Sequence, residues 1–447
     1  MTIPAPGRLT PPPEGGSGAR PDGRDRWEVL RVVPWTPVLW AVGIGSAVLA
    51  TWHAVHLATD ELQLDLDVYL MGGRHLADGR LYLASLPAPP HLPFTYPPFA
   101  ALVFAPLTLV PERAAQVVWS LVNVAAVYAM VWLTLRMVRP ALDRRGRAQW
   151  ALVLMAPAVW MEPVSLTLSF GQVNVVLAVL VIADLTVTLR AGRFTLPRGV
   201  LIGVAAAIKL TPLVFVPYLL LIRRTREAVV ASATFVGCAA LLAVIDLRVS
   251  WSYWTKYATD VARIGGVSYI SNQSLRAVAD RLDHRLIAGL PITAASGVVL
   301  VAGVALAAWA ERRSSSFLGL LVCATTGLIV SPITWAHHMV WVVPVLIWLV
   351  WAADRPAGGR IWALAGAALF WWAPIWTVPN GGNRELSEHG WQLLRGNSFF
   401  LAMVVFEVGV AVMLALRRRR GVAPPRSAVS GGPERPGLEL RAAQGIG

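Results

Sequence analysis

Long apolar runs with arginine clusters at alternate ends dominate this chain, and they constrain its fold more than any motif does. A run of about 20 apolar residues satisfies its backbone in hydrocarbon only as a helix or inside a closed barrel, and these runs have helical length. Arg20, Arg24, Arg26 and Arg31 precede the first run. Further clusters follow at Arg139, Arg144, Arg145 and Arg147; at Arg190, Arg193 and Arg198; and at Arg223, Arg224 and Arg226. The last are Arg312 and Arg313, Arg355 and Arg360, and Arg417 to Arg420. The positive-inside rule places these loops in the cytoplasm. The opposite loops hold the residues able to do chemistry: Asp65 to Tyr69, Gly171 to Asn174, Lys209 to Pro212, Asn272 to Ser274 and Trp335 to His338. A multi-pass plasma-membrane protein with both termini cytoplasmic and an extracytoplasmic site is expected.

Composition agrees. Of 447 residues, 56% are hydrophobic and 14% charged, with mean hydropathy +0.58. A soluble domain carries roughly 25% charged residues. The net charge of +14 would suggest nucleic acid in a soluble chain, but here the basic residues flank apolar runs. Topology and anionic lipid headgroups account for them, so membrane lipids are expected as partners and nucleic acid is not. Cys238 and Cys323 lie inside apolar runs without metal-ligand spacing. No Walker, dinucleotide or His-Glu-x-x-His motif is present, and neither a cofactor nor a metal site is expected.

Residues 1–30 and 421–447 are rich in Pro, Gly, Ser and Arg and are expected to be disordered cytoplasmic tails around one membrane domain, 31–420. The first apolar run reads as a retained signal anchor. An all-α fold of about 12 spans is expected, at 35–57, 114–136, 150–168, 172–190, 199–209, 211–222, 228–246, 292–310, 316–331, 335–352, 361–378 and 398–416. The pair 199–209 and 211–222 is split because a single helix would put Arg223 to Arg226 on the wrong side. Thr211-Pro212 supplies the break, and such breaks at membrane depth line cavities. The run 97–110 is too short to span and reads as interfacial or re-entrant. The loops 58–96 and 247–290 are long enough to cap an outer cavity.

Within those loops, Asp65 and Asp67 share one face if the segment is extended and separate if it is helical. Either can take a proton from a hydroxyl, or simply be a solvated loop acid. Lys209 is an ionisable group inside an apolar stretch, suited to a phosphate, or else snorkelling outward. His337 and His338 follow the Ser331-Pro332 break and read as phosphate or base partners, or as interfacial residues. Gln172 and Asn174 open a span as substrate contacts or as interhelical amides. Tyr96 precedes two prolines in a rigid turn, and Asn272, Gln273 and Ser274 offer polar groups to a sugar or form a plain turn.

Read in order, Asp65-Leu66-x-Val68-Tyr69, Gly79-Arg80-x-Tyr82, Tyr96-Pro97-Pro98, Gly171-Gln172-x-Asn174, Lys209-x-x-Pro212, Asn272-Gln273-Ser274 and Ser331-Pro332-x-Thr334-Trp335-x-His337-His338 form a recognisable series. It resembles glycosyltransferase family 87, the polyprenyl-phosphate-mannose-dependent α-(1→2)-mannosyltransferases of actinobacteria. The resemblance implies a GT-C membrane fold. It also implies a polyprenyl-phosphate-mannose donor and a mannosylated lipid or glycan acceptor of phosphatidylinositol mannoside or lipoarabinomannan type. By the same resemblance Asp65 is the general base of an inverting transfer, with Asp67 a second acid at the variable position. Lys209, His337 and His338 would hold the leaving phosphate, while Tyr69, Tyr96, Gln172, Asn174, Asn272 and Gln273 would bind substrate. The same fold acting on another lipid-linked sugar, such as arabinofuranose, or a lipid or sugar transporter, are the competing readings.

Overall fold

The computed structural model describes residues 36–60, 63–191, 193–287 and 290–420. The expected tails and the arginines before the first run lie outside them. Nineteen helices follow in chain order, with short 3-10 turns between several of them. They are α1 Thr36–Asp60, α2 Leu64–Arg74, α3 Pro98–Phe104, α4 Glu112–Val138, α5 Arg144–Val153, α6 Met155–Val159, α7 Glu162–Ser169, α8 Asn174–Thr186, α9 Val200–Ile208 and α10 Phe215–Leu221. Then come α11 Thr225–Ile245, α12 Leu247–Ser252, α13 Leu275–Leu282, α14 Leu290–Arg313, α15 Ser316–Val330, α16 Val342–Trp351, α17 Gly359–Trp372, α18 Trp391–Gly396 and α19 Ser398–Arg419. The one β-ladder among the described residues pairs Arg190–Ala191 with Phe194–Thr195, so the all-α expectation stands.

Among the described residues, five helices are long and apolar enough to cross a membrane: α1, α4, α11, α14 and α19. A sixth crossing exists if α7 and α8, bent by 117°, count as one broken span. Fewer helices than the dozen spans read from the sequence reach that length unbroken, and proline divides several of the runs. The run 150–168 becomes α5, α6 and α7, with Pro157 and Pro163 in the first turns of α6 and α7, where a missing N–H is tolerated. The run 199–222 breaks where expected. Helix α9 ends at Ile208, Lys209 is extended (φ −149°, ψ 130°), and a 3-10 turn over Thr211–Val214 leads into α10. The run 97–110 forms α3 and a 3-10 turn, too short to span.

The packed centre lies where α8 meets α4 and α9, and α16 meets α4. Val127, Met130, Val175, Ile182, Ile202 and Trp348 are fully buried there. Helix α11 instead leaves Val229, Val236 and Val244 on the outside, as a surface facing hydrocarbon requires.

One end of the bundle gathers the arginine clusters that include Arg224, Arg312 and Arg417. Arg224 pairs with Glu311 at 3.1 Å, and Arg312 donates to the Leu221 carbonyl at 3.4 Å. Arg417 donates to the Asp354 carbonyl at 2.8 Å and to Ser314 at 3.2 Å. Helices α9 and α15 run from that end and α8 runs back toward it, so Asn174 lies with Lys209 and His338 at the opposite end.

Candidate active site

The site is organised by the bend between α7 and α8. Gly171 sits there at φ +65°, a left-handed conformation that disfavours any side chain. A Cβ at this position would also stand 2.7 Å from the Leu66 Cβ. The bend is held from three directions. Trp119 Nε1 donates to the Gly171 carbonyl at 2.7 Å. Gln63 Nε2 donates to the Leu168 carbonyl and to Ser120 Oγ, both at 3.0 Å. The first amides of α2, on Asp65 and Leu66, donate to the Phe170 carbonyl at 3.0 and 3.1 Å. Two of the free amides at a helix start thus find a partner, and the start of α2 is fixed against the bend.

Because α2 is helical, Asp65 and Asp67 point to different faces and the extended alternative is excluded. Asp65 accepts from Gln172 and feels the charge of Lys209, yet burial outweighs both and pushes its carboxyl up to about 6. Asp67 faces Glu112 and Arg74; burial and Glu112 raise it, also to about 6. Only Asp65 points toward the other sequence-derived candidates.

Opposite Asp65, the extended Lys209 leaves α9 and turns its ammonium inward. Nζ donates to Asn174 Oδ1 and to His338 Nε2, each at 2.9 Å, and lies 5.5 Å from the centre of the Tyr96 ring. Accepting at Nε2 places the His338 proton on Nδ1. The two histidines share a 3-10 turn, Ala336–Trp341, that aims them apart. His337 packs edge-on against Phe170 at 5.4 Å, and its carbonyl accepts from Asn174 Nδ2 at 2.9 Å, with the Thr167 hydroxyl 3.0 Å away. Both ring nitrogens of His337 and Nδ1 of His338 are buried without a partner. Unmet polar groups of this kind beside an ammonium suit an oxyanion.

Tyr69, Tyr96 and Gln172 form a triangle beneath Asp65. Tyr69 donates to Gln172 Oε1 at 2.9 Å, and the Tyr96 hydroxyl lies 3.1 Å from both the Tyr69 hydroxyl and the donating Gln172 Nε2. Tyr69 is fully buried, and its hydroxyl orients Gln172. Tyr82, from the Gly-Arg-x-Tyr segment, donates to the Tyr96 carbonyl at 2.8 Å and so joins the loop after α2 to the site.

Asn272 and Gln273 are both 0% exposed. Asn272 Oδ1 accepts from the Thr334 amide at 2.9 Å, and Gln273 Nε2 donates to the carbonyls of Ile270 and Gly396 at 2.8 and 2.7 Å. Both amides are spent on the protein's own backbone, as in the plain-turn alternative, and they brace the segment that carries the histidines. Gln63, Trp119 and Thr167, which fix the bend, carried no sequence signal beyond being polar or aromatic within apolar runs.

A cavity of about 40 Å³ opens beside this cluster, with Asn174, Lys209 and His338 at its polar end and Leu177, Phe215 and Trp341 among its apolar walls. It holds a few waters rather than a hexose. Among the described residues, no group of three or more His, Cys, Asp or Glu side chains is placed to hold a metal ion.

Comparison with known proteins bears on this arrangement. The profile of glycosyltransferase family 87 matches residues 94–332. The chain is 36% identical, over 83% of its length and 88% of the relative's, to a polyprenol-phosphate-mannose-dependent α-(1-2)-phosphatidylinositol mannoside mannosyltransferase of Mycobacterium tuberculosis. It is 33% identical to the Mycolicibacterium smegmatis protein of the same name, over 83% of this chain and 86% of that one. A Mycobacterium tuberculosis phosphatidylinositol pentamannoside mannosyltransferase is 35% identical over 76% of both chains. No solved structure matches the chain. Matched by the profile over more than half its length and aligned along most of it with these relatives, the chain belongs to glycosyltransferase family 87.

Proposed function

We propose that this chain moves mannose from polyprenyl-phosphate mannose to a hydroxyl of a phosphatidylinositol mannoside. The observation that carries the reading is the apposition of Asp65 and Lys209 across the α7–α8 bend, with Gln172 on Asp65 and Asn174 and His338 on Lys209. In the proposed step the acceptor oxygen bonds to the anomeric carbon while the bond from that carbon to the phosphate oxygen breaks. The hydroxyl proton passes to Asp65, whose carboxyl is tuned upward toward working pH. Lys209, with the Nδ1–H of His338 and an N–H of His337, receives the charge growing on the departing phosphate. Attack opposite the leaving group inverts the anomeric centre, so a β-linked donor gives an α product.

The wider architecture follows from the same reading. Residues 31–420 form one GT-C membrane domain in which broken pairs such as α9 and α10 complete the crossings. The arginine end faces the cytoplasm, the tails 1–30 and 421–447 extend there, and the site opens outside the plasma membrane. The test incubates purified full-length protein with polyprenyl-phosphate [14C]mannose and a panel of phosphatidylinositol mannosides. Labelled acceptor is expected; intact donor with every acceptor overturns the reading.

A further inference from the structure

Three partly exposed rings gather around Trp335, the residue before the histidine turn, without a part in the chemistry above. Tyr269, Trp335 and Trp376 come from three separate segments; Tyr269 meets Trp335 edge to face at 5.9 Å and Trp376 at a tilt, 6.5 Å away. Their backbones are locked. Arg281, itself buried, donates to the carbonyls of Ser268 and Tyr269 at 3.1 and 3.3 Å, and Glu385 accepts from the Ile270 amide at 3.3 Å. Trp335 bridges to Asn272 in a short antiparallel pairing, and its carbonyl accepts from the His338 amide at 2.8 Å. The loop comes so close that a Cβ on Gly265 would stand 3.0 Å from the Trp335 ring. With that support the Tyr269 ring is nevertheless 37% exposed.

Lipid-facing tryptophans occur elsewhere on this chain, as at Trp362 and Trp372, but this group differs from them in holding an acid. Glu162, at the start of α7, accepts from Trp376 Nε1 through Oε1. Rigid aromatic faces next to a carboxylate match a hexose, which presents axial C–H bonds on one side and hydroxyls at its edge. Hydrocarbon would offer nothing to the second carboxylate oxygen, since only Oε1 is met by Trp376. Thr167, on the same helix as Glu162, also touches the His337 carbonyl, so the platform and the phosphate end share one support.

We infer that Tyr269, Trp335 and Trp376 form a stacking platform for a mannosyl ring of the acceptor, with Glu162 accepting from a sugar hydroxyl. The inference deepens the mannosyl-transfer reading and rests on it for the identity of the sugar. Saturation-transfer NMR of detergent-solubilised full-length protein with soluble α-(1→2)-mannobiose tests it without turnover. Saturation of one face of a mannose ring is expected in the wild type, with a loss of fivefold or more in Trp376→Ala and in Glu162→Gln and retention in Trp376→Phe. In transfer assays the acceptor KM of Trp376→Ala should rise at least tenfold while the donor KM moves less than twofold. No saturation of the sugar in the wild type, or equal saturation in wild type and Trp376→Ala, overturns the platform. Mannobiose binding without any label transfer sinks the mannosyltransferase reading instead.

Discussion

Replacing Lys209 by methionine keeps the stem and removes the charge, and the structure fixes two consequences. Nζ already sits 2.9 Å from both Asn174 Oδ1 and His338 Nε2, so a phosphate oxygen that joins them lies about 3–4 Å from the ammonium. At an effective dielectric near 20, that attraction is about 4 kcal/mol. The loss of one donor to a growing oxyanion costs roughly 10²–10³ in rate, which is the same order. Donor kcat/KM should therefore fall by about 10²–10³. The second consequence concerns Asp65. A base must be ionised, so activity declines as pH falls through its pKa, which burial raises to about 6 against the pull of Lys209. Without that cation the carboxyl rises further, and the acid limb of the pH profile shifts to higher pH. The assay is label transfer from saturating to limiting donor across pH 5 to 9, in wild type and variant. A loss below tenfold together with an unmoved acid limb refutes the placement of Lys209 between phosphate and base.

Gly171→Ala places a Cβ against Leu66 at a left-handed φ, so the start of α2 must shift. Transfer should fall more than 100-fold, because misplacing a reacting group by about 1 Å carries that loss. Detergent-solution melting should drop only a few degrees, and an active variant contradicts the bend as organiser. Arg281→Met removes donors to Asn397, at 3.0 and 2.6 Å, and to the carbonyls of Ser268, Tyr269 and Asn272. Breaking such a buried charged network costs about 3–5 kcal/mol, so a clear fall in melting temperature is expected, and an unchanged melt removes its bracing role.

The separation of the arginine clusters around Arg224, Arg312 and Arg417 from the site residues was legible, because clusters between alternate apolar runs return to the same end of a bundle. Lys209 was legible for a related reason: an ammonium within Ala205 to Leu210, followed by Thr211-Pro212, has to sit at a break. The number of continuous spans was not legible. Pro157 and Pro163 break an apolar run without interrupting its hydropathy, so composition alone reads 150–168 as one helix. The same holds for the two acids. Asp65 and Asp67 stay equivalent until the amides of α2 find the Phe170 carbonyl, a contact between residues more than 100 positions apart. Asn272 and Gln273 stayed open between two readings because a buried amide and a sugar-binding amide have the same sequence signature. Their partners, at Thr334, Gly396 and Phe400, are long-range.

The assignment of the base to Asp65 rather than Asp67 tests the account most directly. Purified Asp65→Asn and Asp67→Asn are compared with wild type in mannosyl transfer from polyprenyl-phosphate mannose, at equal expression and melting temperature. Asp65 faces Gln172 and Lys209, whereas Asp67 faces Glu112 and Arg74. General-base removal costs roughly 10²–10⁴, so Asp65→Asn should lose at least 100-fold in kcat and Asp67→Asn less than tenfold. The reverse order, or near-normal turnover in Asp65→Asn, would contradict the account.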